Sequence, residues 1–368
     1  MPLAIIVNIV HSGNDIHRRS TVHGDDDLVG IYEIAKIASV TPAAVANWRA
    51  RHADFPLPVT ELKSGPVFDI NQIRKWLKKR RMKMATVIAS INLKGGVGKT
   101  TTTVAVGEVL VEAFNKKVLI IDLDPQTNAT TMLIGEDKWE QLNENGYTLA
   151  TLFQDALNEN PEERKFDLDN TLQVGVSNVR DVRRLDLIPS SLDLINIQDR
   201  LITMPSGRFY ANNPTEVLRR AVKPIIDDYD YVLIDCPPNL GIITLNGLRI
   251  ADGYIIPTIP DVLSTYGIPQ IVSRISAFAE NLGEEITPYG IVVSIYRGNS
   301  PLHQRTLKQL RDDRVKYPPV FKTIVPQADA IAASAEFVPQ NTLRQKYSYG
   351  GRYDIYYNLA KEIMGVAV

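Results

Sequence analysis

One cysteine, Cys236, stands in 368 residues. No internal disulfide can form, and the chain reads as a protein of a reducing cytosol. No stretch approaches the roughly 20 apolar residues that a membrane helix needs. The apolar opening Pro2 to Val7 has neither a cationic lead nor a small-residue cleavage site, so no signal peptide is expected. No repeat is visible, and a net charge of −1 favours no partner by itself. What remains is ordinary globular composition, 44% hydrophobic and 23% charged, at a length that suits one large and one small domain. The charge is unevenly spread. Residues 28–83 carry 11 Lys/Arg against 4 Asp/Glu, whereas residues from Met84 onward carry 28 against 34. A basic module precedes a mildly acidic one.

The most informative run is Asn92-Leu93-Lys94-Gly95-Gly96-Val97-Gly98-Lys99-Thr100-Thr101. An apolar stretch, Ala85 to Ile91, reads as a buried strand before it, and Thr102 to Phe114 reads as a helix after it. A glycine-rich turn at that junction points backbone N–H groups inward, with the positive end of the helix dipole behind them, and so fits a polyphosphate. Gly95, Gly96, Val97, Gly98, Lys99, Thr100 and Thr101 are the expected cradle. Lys99 is expected to reach the β/γ-phosphates and the Thr100 hydroxyl to ligate Mg²⁺. The ordinary phosphate-loop pattern has glycine where Leu93 stands, and here a second lysine, Lys94, precedes the glycine pair.

That departure resembles the deviant Walker A motif of the ParA/MinD superfamily of ATPases. The resemblance implies ATP and Mg²⁺ as cofactors. It also implies that Lys94 crosses a homodimer interface to the partner subunit's nucleotide. Asp122-Leu123-Asp124-Pro125-Gln126, at the carboxyl end of a strand-like run, resembles the second family motif, which makes Asp124 the water-orienting residue and Asp122 a support of the Mg²⁺ shell. Asp235, ending Tyr231-Val232-Leu233-Ile234, resembles a Walker B aspartate bound to Mg²⁺ through water. The expected catalytic set is therefore Lys94, Lys99 and Asp124, and the expected metal set Thr100, Asp122 and Asp235. Val325-Pro326-Gln327 resembles a loop that contacts adenine, through Pro326; relatives often carry arginine where the neutral Gln327 stands. Leu187-Ile188-Pro189-Ser190-Ser191 is a further segment of family appearance, and Cys236 reads as a small core residue.

Strand-like runs fall at 85–91, 117–122, 185–189, 230–236, 253–258, 289–295 and 320–324, with helical patterns between them. This alternation predicts a doubly wound, mostly parallel α/β sheet over residues 84–368. Residues 158–178 read as a polar insertion. A helix over Leu302 to Asp313 spaces its cations three or four apart, and Arg297, Arg305 and Lys308 are the expected contacts to nonspecific DNA.

Residues 28–83 show helical spacing from Ile31 to Ala38, a turn at Ser39-Val40, and Pro42 opening a second helix to Arg51. A hairpin over Val59–Leu62 and Val67–Asp69 follows, then a basic helix from Asn71 to Arg81. This order predicts a winged helix-turn-helix and resembles the DNA-binding domains of MerR-like and excisionase-like proteins. Asn47, Arg49 and Arg51 are expected nearest the bases, with Lys63, Arg74, Lys75, Lys78 and Lys79 on phosphates. Residues 1–27 are expected to form an arm.

The whole resembles the larger ParA partition ATPases. The resemblance implies an ATP-closed homodimer on nonspecific DNA, a ParB-like centromere-binding partner and operator binding with autorepression. It also implies a nucleoid-associated place in the cytoplasm. Two alternatives stand beside it: a cargo-positioning ATPase of the same superfamily, and a transcriptional regulator switched by nucleotide. A membrane-bound variant is disfavoured because the last helical stretch, Tyr353 to Met364, has Lys361 as its only cation.

Overall fold

The computed structural model describes residues 28–38, 42–51, 54–62, 65–81, 85–158, 160–202, 213–348 and 350–367. The expected arm, the Ser39-Val40 turn and Lys63 lie outside them, as do the side chains of Asn47, Arg51, Lys78 and Lys79. The chain divides into two units, Met1–Arg81 and Met82–Val368.

In the first unit, β1 (Leu28–Gly30) leads into α1 (Ile31–Ala38), followed by α2 (Pro42–Arg51), β2 (Thr60–Leu62), β3 (Gly65–Asp69) and α3 (Ile70–Arg81). The strands form one antiparallel sheet in the order β1-β3-β2. β1 is not signalled in the sequence, since three residues are too few to show alternation. Asp69 accepts from the N–H groups of Asn71 and Gln72 at 2.7 and 3.1 Å, and this cap makes the strand end where the helix begins. Ile34, Val45, Phe55, Phe68, Ile73 and Trp76 form the core. Trp48 packs on Trp76 with ring centroids 5.7 Å apart, so both tryptophans are structural aromatics.

The second unit is built on seven strands in the order β10-β9-β8-β4-β7-β5-β6. They are β4 (Thr86–Ser90), β5 (Val118–Asp122), β6 (Leu185–Ile188), β7 (Tyr231–Asp235), β8 (Gly253–Thr258), β9 (Thr287–Tyr296) and β10 (Val320–Pro326). Every pairing among them is parallel. The unbroken apolar runs arise because both faces are covered. In β5, Leu119 and Ile121 face one core cluster while Val118 and Ile120 face the other. Helices α4 (Lys99–Phe114) and Arg352–Val366 pack on the second of these faces. β4 lies between β8 and β7, so the loops leaving β4, β5 and β7 meet at one carboxyl-end crevice, where open sheets of this kind bind ligands.

Both borders of this sheet are covered in part. Residues 172–176, inside the stretch expected to be a mere insertion, lie along β6: Gln173 and Leu187 exchange N–H···O bonds of 2.8 Å in both directions, and Val176 N–H donates to Leu185 at 2.7 Å. At the other border, Glu362 accepts from the β10 amides of Lys322 and Thr323 at 2.7 and 2.8 Å. Among the described residues, no helix is long and apolar enough to cross a membrane.

Candidate functional site

The loop between β4 and α4 closes over a cavity of about 560 Å³ lined by Gly95, Gly96, Gly98, Lys99, Thr100 and Thr101. Gly96 and Gly98 take φ of 71° and 80°, which a side chain would strain. Gly98 is the N-cap of α4 and has no side chain to offer the first N–H groups, so those donors are left for a ligand. Ser294 of β9 fastens the loop from behind, donating to the Val97 carbonyl at 2.6 Å. The Val97 side chain is fully buried and only its backbone belongs to the cradle.

Three carboxylates stand at the strand ends. Thr100 donates to Asp235 Oδ2 at 2.6 Å. Asp235 Oδ1, like Ser90 Oγ, is buried without a hydrogen-bond partner among the described residues. Burial pushes Asp235 up to about 7, against the pull of Thr100 and Lys99. Asp122 is raised by burial and by Asp235. Both of its oxygens are engaged: Oδ1 accepts from Asp124 N–H at 3.1 Å, and Oδ2 from Thr130 N–H and Thr130 Oγ1 at 2.9 and 2.7 Å. Asp122 thereby caps helix α5 (Asn128–Ile134) from outside it. Asp124 lines the cavity and is raised by burial, with the Gln126 N–H and Lys99 opposing. Burial also pushes the Cys236 thiol far up, which removes it as a nucleophile.

An orphaned carboxylate oxygen beside a threonine hydroxyl suits a Mg²⁺ ion held largely by phosphate and water oxygens. No three His, Cys, Asp or Glu side chains form a metal cage among the described residues, so the phosphates would have to complete the coordination.

Lys94 does not line this cavity. Its Nζ donates to Asp261 Oδ2 at 3.0 Å and to Ser264 Oγ at 2.9 Å, on the helix Val262–Tyr266 that Asp261 caps. Pro326 does line it, together with Gln327, whose side-chain oxygen accepts from Arg297 Nε. Arg305 and Lys308 lie exposed on the helix Pro301–Asp312, opposite its buried His303, Thr306, Leu307 and Leu310. In the first unit, Arg74 and Lys75 are exposed, and Arg49 pairs with Glu61 of β2 at 2.5 Å.

The AAA domain family matches residues 85–287, more than half of the chain. The sporulation initiation inhibitor protein Soj of Bacillus subtilis is 28% identical over 282 residues, 76% of this chain and 98% of that protein. The chromosome partitioning protein ParA of Myxococcus xanthus is 28% identical over 279 residues, 76% of this chain and 87% of that one. The chain belongs to the AAA domain family, as a ParA/Soj-type partition ATPase. Among solved structures, cobyrinic acid a,c-diamide synthase from Mycobacterium smegmatis, with bound ATP analogue and magnesium, has a TM-score of 0.57 at 25% identity, covering 76% of this chain and 94% of that chain.

In this ParA/Soj-type ATPase the family match ends where β9 begins, and the far wall of the cavity lies beyond it. Ser294, Ile295, Ile331, Ala332, Ala335 and Tyr356 complete that wall. None of them carries a sequence signal, because a wall of small and apolar side chains looks like core until the fold brings it beside the phosphate loop.

Proposed function

We propose that this ATPase closes into a homodimer around ATP and Mg²⁺, binds DNA without sequence preference in that state, and opens on hydrolysis. The observation that carries the reading is the division of the two lysines. Lys99 faces the cavity while Lys94 faces out of it, beside Val262, Leu263 and Tyr266, which are 64%, 78% and 73% exposed. Apolar side chains so placed at the carboxyl-end rim need a cover, and a second copy would supply it together with a Lys94 for the opposite nucleotide.

In the proposed site Thr100 and Asp235 would hold Mg²⁺, which would supply charge neutralisation for the phosphates. The backbone N–H groups of the loop and Lys99 bind and orient the phosphates. Asp124 holds the attacking water in line. Phosphoryl transfer asks for placement and charge rather than for a strong base, so a raised carboxyl is no obstacle once Lys99 and a metal lie beside it.

Arg297, Arg305 and Lys308 are the proposed contacts to nonspecific DNA. The first unit is read as a winged helix-turn-helix on operator DNA, serving autorepression. Its groove-reading residues are Asn47, Arg49 and Arg51, and the phosphate contacts come from Lys63, Arg74, Lys75, Lys78 and Lys79. The partner that stimulates hydrolysis is read as ParB-like and the location as the nucleoid; the similarity to a chromosome partitioning protein supports the partition role from which both readings follow. Light scattering with a nonhydrolysable ATP analogue and Mg²⁺ tests the central statement. The expected result is a doubled mass for the wild type and a monomer for Lys94→Ala that still binds the analogue. A wild type that stays monomeric, or a Lys94→Ala chain that dimerises normally, overturns it.

A further inference from the structure

Ser190 follows β6 in the segment whose family appearance no part of the phosphate-binding logic uses, and it is completely buried. Its three polar groups are all engaged, and the hydroxyl reaches the turn that carries Asp124. The backbone N–H donates to Thr130 Oγ1 at 3.0 Å, the hydroxyl donates to the Asp124 carbonyl at 2.8 Å, and the carbonyl accepts from Trp139 Nε1 at 3.2 Å. The proton directions are fixed by chemistry. An amide N–H can only donate, so Thr130 Oγ1 accepts there and sends its single proton to Asp122 Oδ2 at 2.7 Å. A carbonyl can only accept, so the Ser190 proton is committed to Asp124.

The result is a clamp. The N–H of Asp124 donates to Asp122 Oδ1, and its carbonyl is held by Ser190 and by the N–H of Thr127 at 2.9 Å. Thr127, at φ 57°, is a non-glycine residue in the left-handed region, so this turn is under strain that its neighbours must hold. With the peptide fixed on both sides, the Asp124 carboxylate is turned toward the cavity from a held backbone, and the Gln126 N–H, donating to its Oδ1 at 3.0 Å, restrains it further. Ser190 itself does not line that cavity.

We propose that Ser190 is a positioning residue for phosphoryl transfer: by holding the Asp124 carbonyl, its hydroxyl sets where the Asp124 carboxylate meets the attacking water. The inference rests on the reading of Asp124 given above. It separates two quantities that a mere space-filling serine would not separate, because small displacements of an orienting group cost rate while leaving ground-state binding alone.

The test uses the full chain with Mg²⁺, measuring phosphate release from ATP in a single turnover and, separately, the affinity for a nonhydrolysable analogue. Ser190→Ala keeps the N–H and carbonyl of residue 190, and the Asp124 carbonyl keeps its bond from Thr127, so no buried group is orphaned. Turnover is expected to fall about tenfold or more, with analogue affinity unchanged within about twofold. Ser190→Cys, nearly the same shape with a weaker donor, should fall between Ser190→Ala and wild type, and it decides the question should the alanine variant not fold. Wild-type turnover in both variants, or turnover and affinity falling together, overturns the proposal. Asp124→Ala, run alongside, distinguishes the two levels. Undiminished turnover in that variant sinks the reading of Asp124 itself, whereas its loss beside a fully active Ser190→Ala sinks only the positioning role.

Discussion

At the scale of single residues, two acidic side chains divide the work around the phosphate loop. Asp124 faces the cavity, so Asp124→Ala should bind ATP and Mg²⁺ normally yet lose hydrolysis by about a hundredfold, and the ATP-bound dimer should accumulate in light scattering. Asp261 faces the other way. While it holds Lys94, that lysine is withheld from any second subunit, so Asp261→Asn should let ATP assemble dimers at a few-fold lower protein concentration, read by sedimentation. Burial raises the Asp261 carboxyl, but the Ser264 N–H and the Lys94 ammonium outweigh it and the net shift is downward. A carboxyl held lower in the folded than in the unfolded chain stabilises above its unfolded value, and that contribution is lost as pH falls through the folded one. Thermal midpoints of wild type and Asp261→Asn should therefore differ at neutral pH and begin to converge only as pH falls below about 4, toward the lowered folded value. The gap should be small, since the pair is partly exposed.

At the scale of elements, α4 is anchored within its length by charge. Glu108 accepts from Ser177 Oγ, Lys346 Nζ and Tyr347 OH, each at 2.7 Å, and Glu108 and Lys346 are both buried. Removing one partner strands the other, so Lys346→Met should cost roughly 3–5 kcal/mol in urea denaturation. Adding Glu108→Gln should recover part of that loss. The seven strands of the large sheet were legible because each is an apolar run followed by a polar turn, and the phosphate loop was legible because only its glycines permit that backbone. The Lys346–Glu108 pair was not, since its partners lie 238 positions apart. The grip of Asp122 on Thr130 was equally hidden. A carboxylate at a strand end suits either a metal or a helix cap, and only the position of α5 reveals that Asp122 serves as a cap. The Lys94–Asp261 contact escaped for the same reason: both residues suit roles elsewhere.

At the scale of the whole molecule, each unit has a core of its own. A chain lacking residues 1–83 should accordingly keep its thermal transition and its nucleotide affinity while losing sequence-specific DNA binding. Footprinting on the DNA upstream of its own gene checks this, and protection that survives the deletion would contradict the role given to the first unit.

The two guarded margins of the large sheet carry a consequence for assembly. With β6 matched by residues 172–176 and the Lys322 and Thr323 amides of β10 answered by Glu362, part of the backbone on each side is already engaged. Strand-by-strand growth into a continuous ribbon is thereby disfavoured, and a higher-order array is expected to grow through side-chain surfaces. An array of that kind can be dismantled by hydrolysis without unfolding a single protomer.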